Sequence, residues 1–251
     1  MAKGRELKGR IKSVENTRKI TRTMEMVATS KMKRAQDRVT AARPYALALS
    51  DVISNLYTPE LAERFPLLRQ PEKVTRAAVI VLTSNRGLAG AFNANLIKEA
   101  RALLKRLDAD GVKVDLHAVG KKGLGFFRYI GRDVVTARTD ITDKPTADNA
   151  RELVGDLIER FEQGTIDAVY VVYAKYVSAL STPPTTQQVL PVQPPATKKG
   201  AVDYLLYPSA DAILTELLPL YVRNAVYRAL VETVAGEQSA HDELISRHRR
   251  W

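Results

Sequence analysis

Two glycine-containing loops and three histidines are the places in this 251-residue chain where residue type and spacing could do chemistry. The segment TSNRGLAGAFN, residues 83–93, follows a β-branched run and precedes a helical pattern, so its backbone N–H groups could cradle an anion such as phosphate. Its spacing gives neither G-x-G-x-x-G nor the Gly-Lys-Ser/Thr of a P-loop, and no acidic residue stands where a ribose would need one. The segment reads as a structural turn in which Gly87 and Gly90 supply tight backbone geometry. GKKGLG, residues 120–125, also follows a strand pattern and also matches no nucleotide fingerprint. His117 lies in an alternating run without a Ser or Cys nucleophile motif and reads as a packed or edge residue. His241 and His248 lack the i,i+4 spacing of a helical metal site. With no cysteine, disulfides, thiolate catalysis and cysteine metal centres are excluded. The expectation is a chain with no catalytic, cofactor-binding or metal-binding residues of its own.

Charge points instead to a partner. The formal net charge is +11, and the first 43 residues carry 13 Lys/Arg against 4 Asp/Glu, so +9 of it is concentrated there. Such a run is a solvated face, a nucleic-acid arm or a surface facing an acidic protein. The cations alternate with Met24, Met26, Val27 and Met32, and no aromatic residue precedes Tyr45, which leaves nothing for bases to stack on. Flexible methionines suit contact with changing protein surfaces. The first residues hold no apolar signal core, and no stretch approaches the roughly 18 uncharged apolar residues of a membrane span, so the chain reads as neither secreted nor membrane-embedded.

The elements that must position these residues follow from pattern. No Gly or Pro interrupts residues 10–43, and good helix formers dominate. The apolar spacing resumes after Pro44, which extends one helix to residue 57, about 80 Å at 1.5 Å per residue. Its apolar residues make an irregular seam, with Leu7, Ile11 and Val14 followed by Arg18 and Thr21 in one register while Ile20, Met24 and Val27 shift beside them. Residues 1–58 are therefore a first helical unit, and 59–76, punctuated by Pro59, Pro66 and Pro71, a linker without regular structure. Residues 77–207 read as an open α/β domain. Its strands are expected at 77–83, 112–119, 133–136, 168–173 and 185–192, the last at an edge by its flanking prolines, and its helices at 93–107, 121–129 and 147–161. Residues 208–251 form a last helix, with Ser209 as N-cap and Asp211 in the first turn. The fold class is α/β, with long N- and C-terminal helices paired as an antiparallel coiled coil and flanking an open, Rossmann-like α/β domain.

Four stretches then carry a resemblance. IKSVENTRKIT at 11–21, MEMVATSKM at 24–32, SNRGLAGAFNAN at 84–95 and ALVE with GEQSA at 229–232 and 236–240 resemble the signatures of F-type ATP synthase γ subunits of bacterial type. The likeness covers nearly the whole chain. It implies a non-catalytic rotor stalk without cofactor, coupling proton-driven rotation to conformational change at β-subunit catalytic sites, peripheral to the cytoplasmic face of the cell membrane. It implies as partners the α and β subunits of the catalytic hexamer, the ε subunit and the c-ring, and neither nucleic acid nor a small-molecule substrate. On this resemblance Met24, Lys31, Lys33 and Arg34 meet the acidic loop of the β subunits, and Tyr204 and Tyr207 lie at the c-ring, Tyr207 standing where the family carries a glutamate. After Ala240 the pattern departs: HDELISRHRRW replaces the family's long Met- and Ala-rich helix, so the last helix reads as truncated or divergent after 240 and residues 19–35 as short of a pairing surface. Two other classes stay open here, a basic nucleic-acid-binding protein and a phosphate-binding α/β enzyme.

Overall fold

A computed structural model describes residues 2–57, 59–193 and 209–249. Helix α1, Ala2–Leu56, runs through Pro44 without ending. The ring removes one backbone hydrogen bond, but Ala46, Leu49 and Ile53 just beyond it are buried, and that packing holds the helix together. The proline-rich segment is more regular than expected. It contains the short helix α2, Pro59–Arg64, and a 3-10 turn, Pro66–Leu68. Each opens on a proline, whose fixed φ suits a first helical position and whose missing N–H costs nothing there.

The sheet has five strands in the order β3-β2-β1-β4-β5. They are β1 (Arg76–Leu82), β2 (Lys113–Val119), β3 (Thr136–Arg138), β4 (Ala168–Ala174) and β5 (Pro184–Leu190), parallel except for β5, which runs antiparallel to β4 at one edge. Between them lie α3 (Phe92–Ala109), α4 (Lys121–Tyr129) and α5 (Ala147–Glu162). The period of two is clear in β1. Ala78, Ile80 and Leu82 join a core with α5, the end of α1 and the last helix, whereas Ala77, Val79 and Val81 join a second core with α3. β3 begins three residues later than the sequence pattern, because its pairing is dictated by His117–Val119 of β2 rather than by its own propensity. His117 thereby lies on an interior strand and is buried.

Helix α6, Ala210–Arg249, starts with the Ser209 hydroxyl accepting from the Ala212 N–H at 3.2 Å. It packs antiparallel along α1: Arg64 at the end of α2 pairs with Asp211 at the start of α6, Ala35 and Val39 cluster with Val231 and Ala235, and the Thr29 hydroxyl donates to Asp242 at 2.7 Å. The expected gap at residues 19–35 is filled in part. α6 stays helical through residue 249 and Ala28 and Ala35 are buried, whereas Ile20, Met24, Met26 and Val27 stay exposed. Exposure of α1 becomes continuous only over residues 4–20. No helix among the described residues is long and apolar enough to cross a membrane.

Candidate functional site

The protruding surface of α1 follows from what it lacks. Leu7, Ile11, Val14 and Ile20 are each more than half exposed, and among the described residues no facing element covers them or the cations beside them. Apolar residues left uncovered on a helix mark a candidate binding surface. The candidate contact residues divide into two groups on it. Lys33 and Arg34 are exposed and bond only locally, Lys33 to Asp37 at 3.0 Å and Arg34 to the Ser30 hydroxyl at 2.9 Å. Met24 and Lys31 turn toward α6, lining a groove of about 610 Å³ with Ile20, Val27, Leu88 and Glu237. Tyr204 and Tyr207 lie outside the described residues.

Beside that groove, where Lys31 and Glu237 line it, three segments meet around two carboxyls. The loop after β3 places Asp143 3.3 Å from Lys31 of α1, and the Arg38 guanidinium donates to the Asp143 carbonyl at 2.5 Å. Burial alone would push the Asp143 carboxyl up, but the hydrogen bond and charge of Lys31 outweigh it and hold it below the ordinary range. At Glu237 of α6 the compensation falls short. Burial first, and the Asp143 charge second, push it up to about 7 against the partial relief of Arg86 and Lys31. Its folded state therefore holds a proton that the unfolded chain releases near 4.5. That stability is fully present below pH 4.5 and is lost as pH rises through about 7. Glu237→Gln should remove this pH dependence and be more stable than the parent at pH 8 by about 3 kcal/mol. Urea unfolding at pH 5 and pH 8 measures it, and an unchanged slope in the variant would refute the assignment.

The glycine loop after β1 is filled by its own side chains. The Ser84 N–H donates to Asn93 Oδ1 at 2.9 Å, and Asn85 Nδ2 reaches the carbonyls of Thr139 and Ile141 at 3.1 and 2.9 Å. The first amides of α4 are taken too: Lys121 N–H by Asn85 Oδ1, Lys122 N–H by the Ser84 carbonyl and Gly123 N–H by Thr83 Oγ1. An anion would have to displace these partners, so this helix start is a structural knot rather than a phosphate cradle. The turn geometry differs from expectation in one residue. Gly90 has positive φ, but the second left-handed residue is Leu88, not Gly87.

The sequence profile of the ATP synthase family matches residues 3–243. A relative in Gemmatimonas aurantiaca, an ATP synthase gamma chain, is 68% identical over 243 residues, covering 96% of this chain and 84% of that one. The chain belongs to the ATP synthase gamma chain family. The gamma chain of Moorella thermoacetica is 43% identical over 240 residues with the same coverage. The fold is shared with solved ATP synthase rotors. A chain of the Tetrahymena thermophila mitochondrial central stalk and c-ring assembly superposes with TM-score 0.70 at 21% identity, covering 91% of this chain and 99% of that one. One from the Euglena gracilis mitochondrial rotor gives 0.61 at 19%, covering 98% and 90%. Membership of the gamma chain family leaves the nucleic-acid and phosphate-enzyme readings without support.

Several residues that organise this gamma chain escaped the sequence reading. Asp143 and Glu232 look like ordinary helix-flanking and helical acids, and only the tertiary fold brings them to α1 and to Tyr176 between β4 and β5. For Glu237 the available signal was its place in GEQSA, an acid among small residues on a face that packs inward.

Proposed function

We propose that this gamma chain is the central rotor stalk of an F-type, proton-translocating ATP synthase. The α1–α6 pair is the shaft, entering a hexamer of α and β subunits, and the α/β domain sits toward the c-ring beside the ε subunit at the cytoplasmic membrane face. The chain makes and breaks no covalent bond itself. It transmits torque, and its asymmetry drives the β catalytic sites through their states in turn.

The observation that carries this reading is the uncovered length of α1. A 55-residue helix is about 80 Å long, and over its first third no other described element covers the apolar and cationic side chains. Cations beside exposed Met24 and Met26 fit an acidic protein surface that changes as the shaft turns. Met24, Lys31, Lys33 and Arg34 are the β-subunit contacts in this proposal, and Tyr204 and Tyr207 the c-ring contacts.

Mixing the purified chain with α and β subunits of a bacterial F-type enzyme tests it. The expected result is a stable complex that hydrolyses ATP and rotates a bead attached to the α/β domain, whereas α and β alone do not rotate it. Failure to co-purify, together with salt-sensitive binding to random DNA at physiological ionic strength, would sink the proposal.

A further inference from the structure

The hairpin between β4 and β5 leaves one residue facing the shaft. Lys175 and Val177 donate their backbone N–H groups to Pro183 and Ser181 across the hairpin. Tyr176, between them, points its N–H and carbonyl the other way. Its N–H donates to Glu232 Oε2 of α6 at 2.9 Å, and its carbonyl accepts from the Arg43 guanidinium of α1 at 3.3 Å. Its side chain packs on the cluster of Ala35, Val39, Val231 and Ala235 where the two shaft helices touch. One turn-flanking residue is thus held by both helices at once.

The α6 side of this grip is reinforced. The Ala174 N–H donates to Thr233 Oγ1 at 3.3 Å, and Gly236 lets α6 approach so closely that a Cβ there would meet Ala174 and Phe92 at 3.1 Å. The Glu232 side chain is only 8% exposed and has the half-exposed Arg228 at 3.4 Å as its ion-pair partner. A carboxylate buried this far is costly, and here it satisfies a backbone amide that the sheet itself cannot pair. A further polar tie between the helix pair and the domain is formed by Lys31, Arg38 and Asp143.

We infer that Glu232, acting through Tyr176, is a positioning residue that locks the α/β domain to the shaft so that the two turn as one rigid body. The inference rests on the rotor reading. A charge-assisted bond to a backbone amide resists shear in the plane of the sheet, which sliding apolar contacts do not. With Arg43 of α1 held by the carbonyl of the same residue, on the next peptide group, Tyr176 is tied to both shaft helices.

The test uses the assembled complex with the hexamer fixed and a bead on the α/β domain. Angular fluctuation of the bead during a catalytic pause reports the torsional stiffness of the rotor. Glu232→Ala should raise the angular variance about twofold or more, since one of the two bonds that hold Tyr176 to the shaft is lost, with the ATP hydrolysis rate little changed. Glu232→Gln, whose amide oxygen still accepts from Tyr176 but without the charge, should fall between the parent and Glu232→Ala, which a role in packing alone would not predict. Arg43→Ala breaks the α1 side from the exposed surface and should loosen the rotor in the same direction, so it decides the matter if Glu232→Ala fails to assemble. Parent-like variance in Arg43→Ala and in any assembled Glu232→Ala complex overturns the inference. A parent complex that does not rotate overturns the rotor reading instead.

Discussion

Replacing Gly120 by alanine is expected to destabilise the chain by more than about 4 kcal/mol, lowering the unfolding midpoint by about 10 °C or preventing folding. Gly120 joins β2 to α4 with φ at +94°, a region that L side chains rarely adopt. A Cβ there would stand 2.1 Å from the Thr83 carbonyl oxygen and 2.7 Å from its hydroxyl. Neither group can yield cheaply. The Thr83 N–H donates to the Val119 carbonyl at 2.8 Å, and its hydroxyl donates to the same oxygen at 2.8 Å while accepting from the Gly123 N–H at 2.9 Å. Opening this contact would also shift the start of α4 and, through Asn85, the 139–143 loop that carries Asp143 to Lys31. Gly125→Ala on the same helix is the control. Nothing lies within 4 Å of its Cβ, and alanine in an exposed helical position should be neutral or stabilising by up to about 1 kcal/mol. Thermal unfolding of the two variants beside the parent gives the comparison, and a Gly120→Ala loss below about 1 kcal/mol would show that the backbone relaxes where the geometry says it cannot.

That knot also marks the boundary between what the chain reveals residue by residue and what it hides. β1 and β4 were legible because both faces of a central parallel strand are buried, so AAVIVL and AVYVV appear as unbroken apolar runs with no competing period. α1 was legible for the opposite reason, since helix formers without Gly or Pro fix its length whatever surrounds it. β3 was displaced because three residues pairing with His117–Val119 carry too little local preference to set their own register. Leu88 in the left-handed region was not readable, because the loop's side-chain bonds and not glycine placement decide which residue takes that conformation. The antiparallel pairing of α1 and α6 was expected in outline from two long helices flanking one domain. Its extent was underestimated because the 241–249 stretch departs from the family pattern while remaining helical. The contact candidates came from resemblance alone. No local pattern separates Lys31, which turns inward to Asp143, from Lys33, which faces outward two residues later.

Asp115 carries the second large effect. It is buried on β2 and receives two bonds from Arg76, at 3.1 and 2.9 Å, and one from Arg160 of α5 at 2.6 Å. The clamp ties the start of β1, the middle of β2 and the end of α5 into one corner of the domain. Burial by itself pushes this carboxyl up, but the hydrogen bonds and charges of the two guanidiniums outweigh it and hold it below the ordinary carboxylate range. Asp115→Ala removes the acceptor and leaves Arg160, largely shielded from water, beside a second cation, so a loss of about 4 kcal/mol is expected at pH 7. Asp115→Asn keeps one oxygen acceptor and should fall between the two. Because the folded value is depressed, the carboxylate's contribution is present above the ordinary carboxylate range and disappears as pH falls through the folded value. The parent should therefore lose stability on acidification relative to Asp115→Asn, and the two unfolding curves should converge toward low pH. His117, two residues along the same face, is coupled to this titration. Burial lowers its pKa and the Asp115 carboxylate partly offsets that, so Asp115→Asn lowers it further. Urea unfolding of the three chains from pH 7 to pH 3 separates the possibilities. A constant gap between parent and Asp115→Asn across that range would mean that the pair holds by packing rather than by charge, since only the charge depends on the proton.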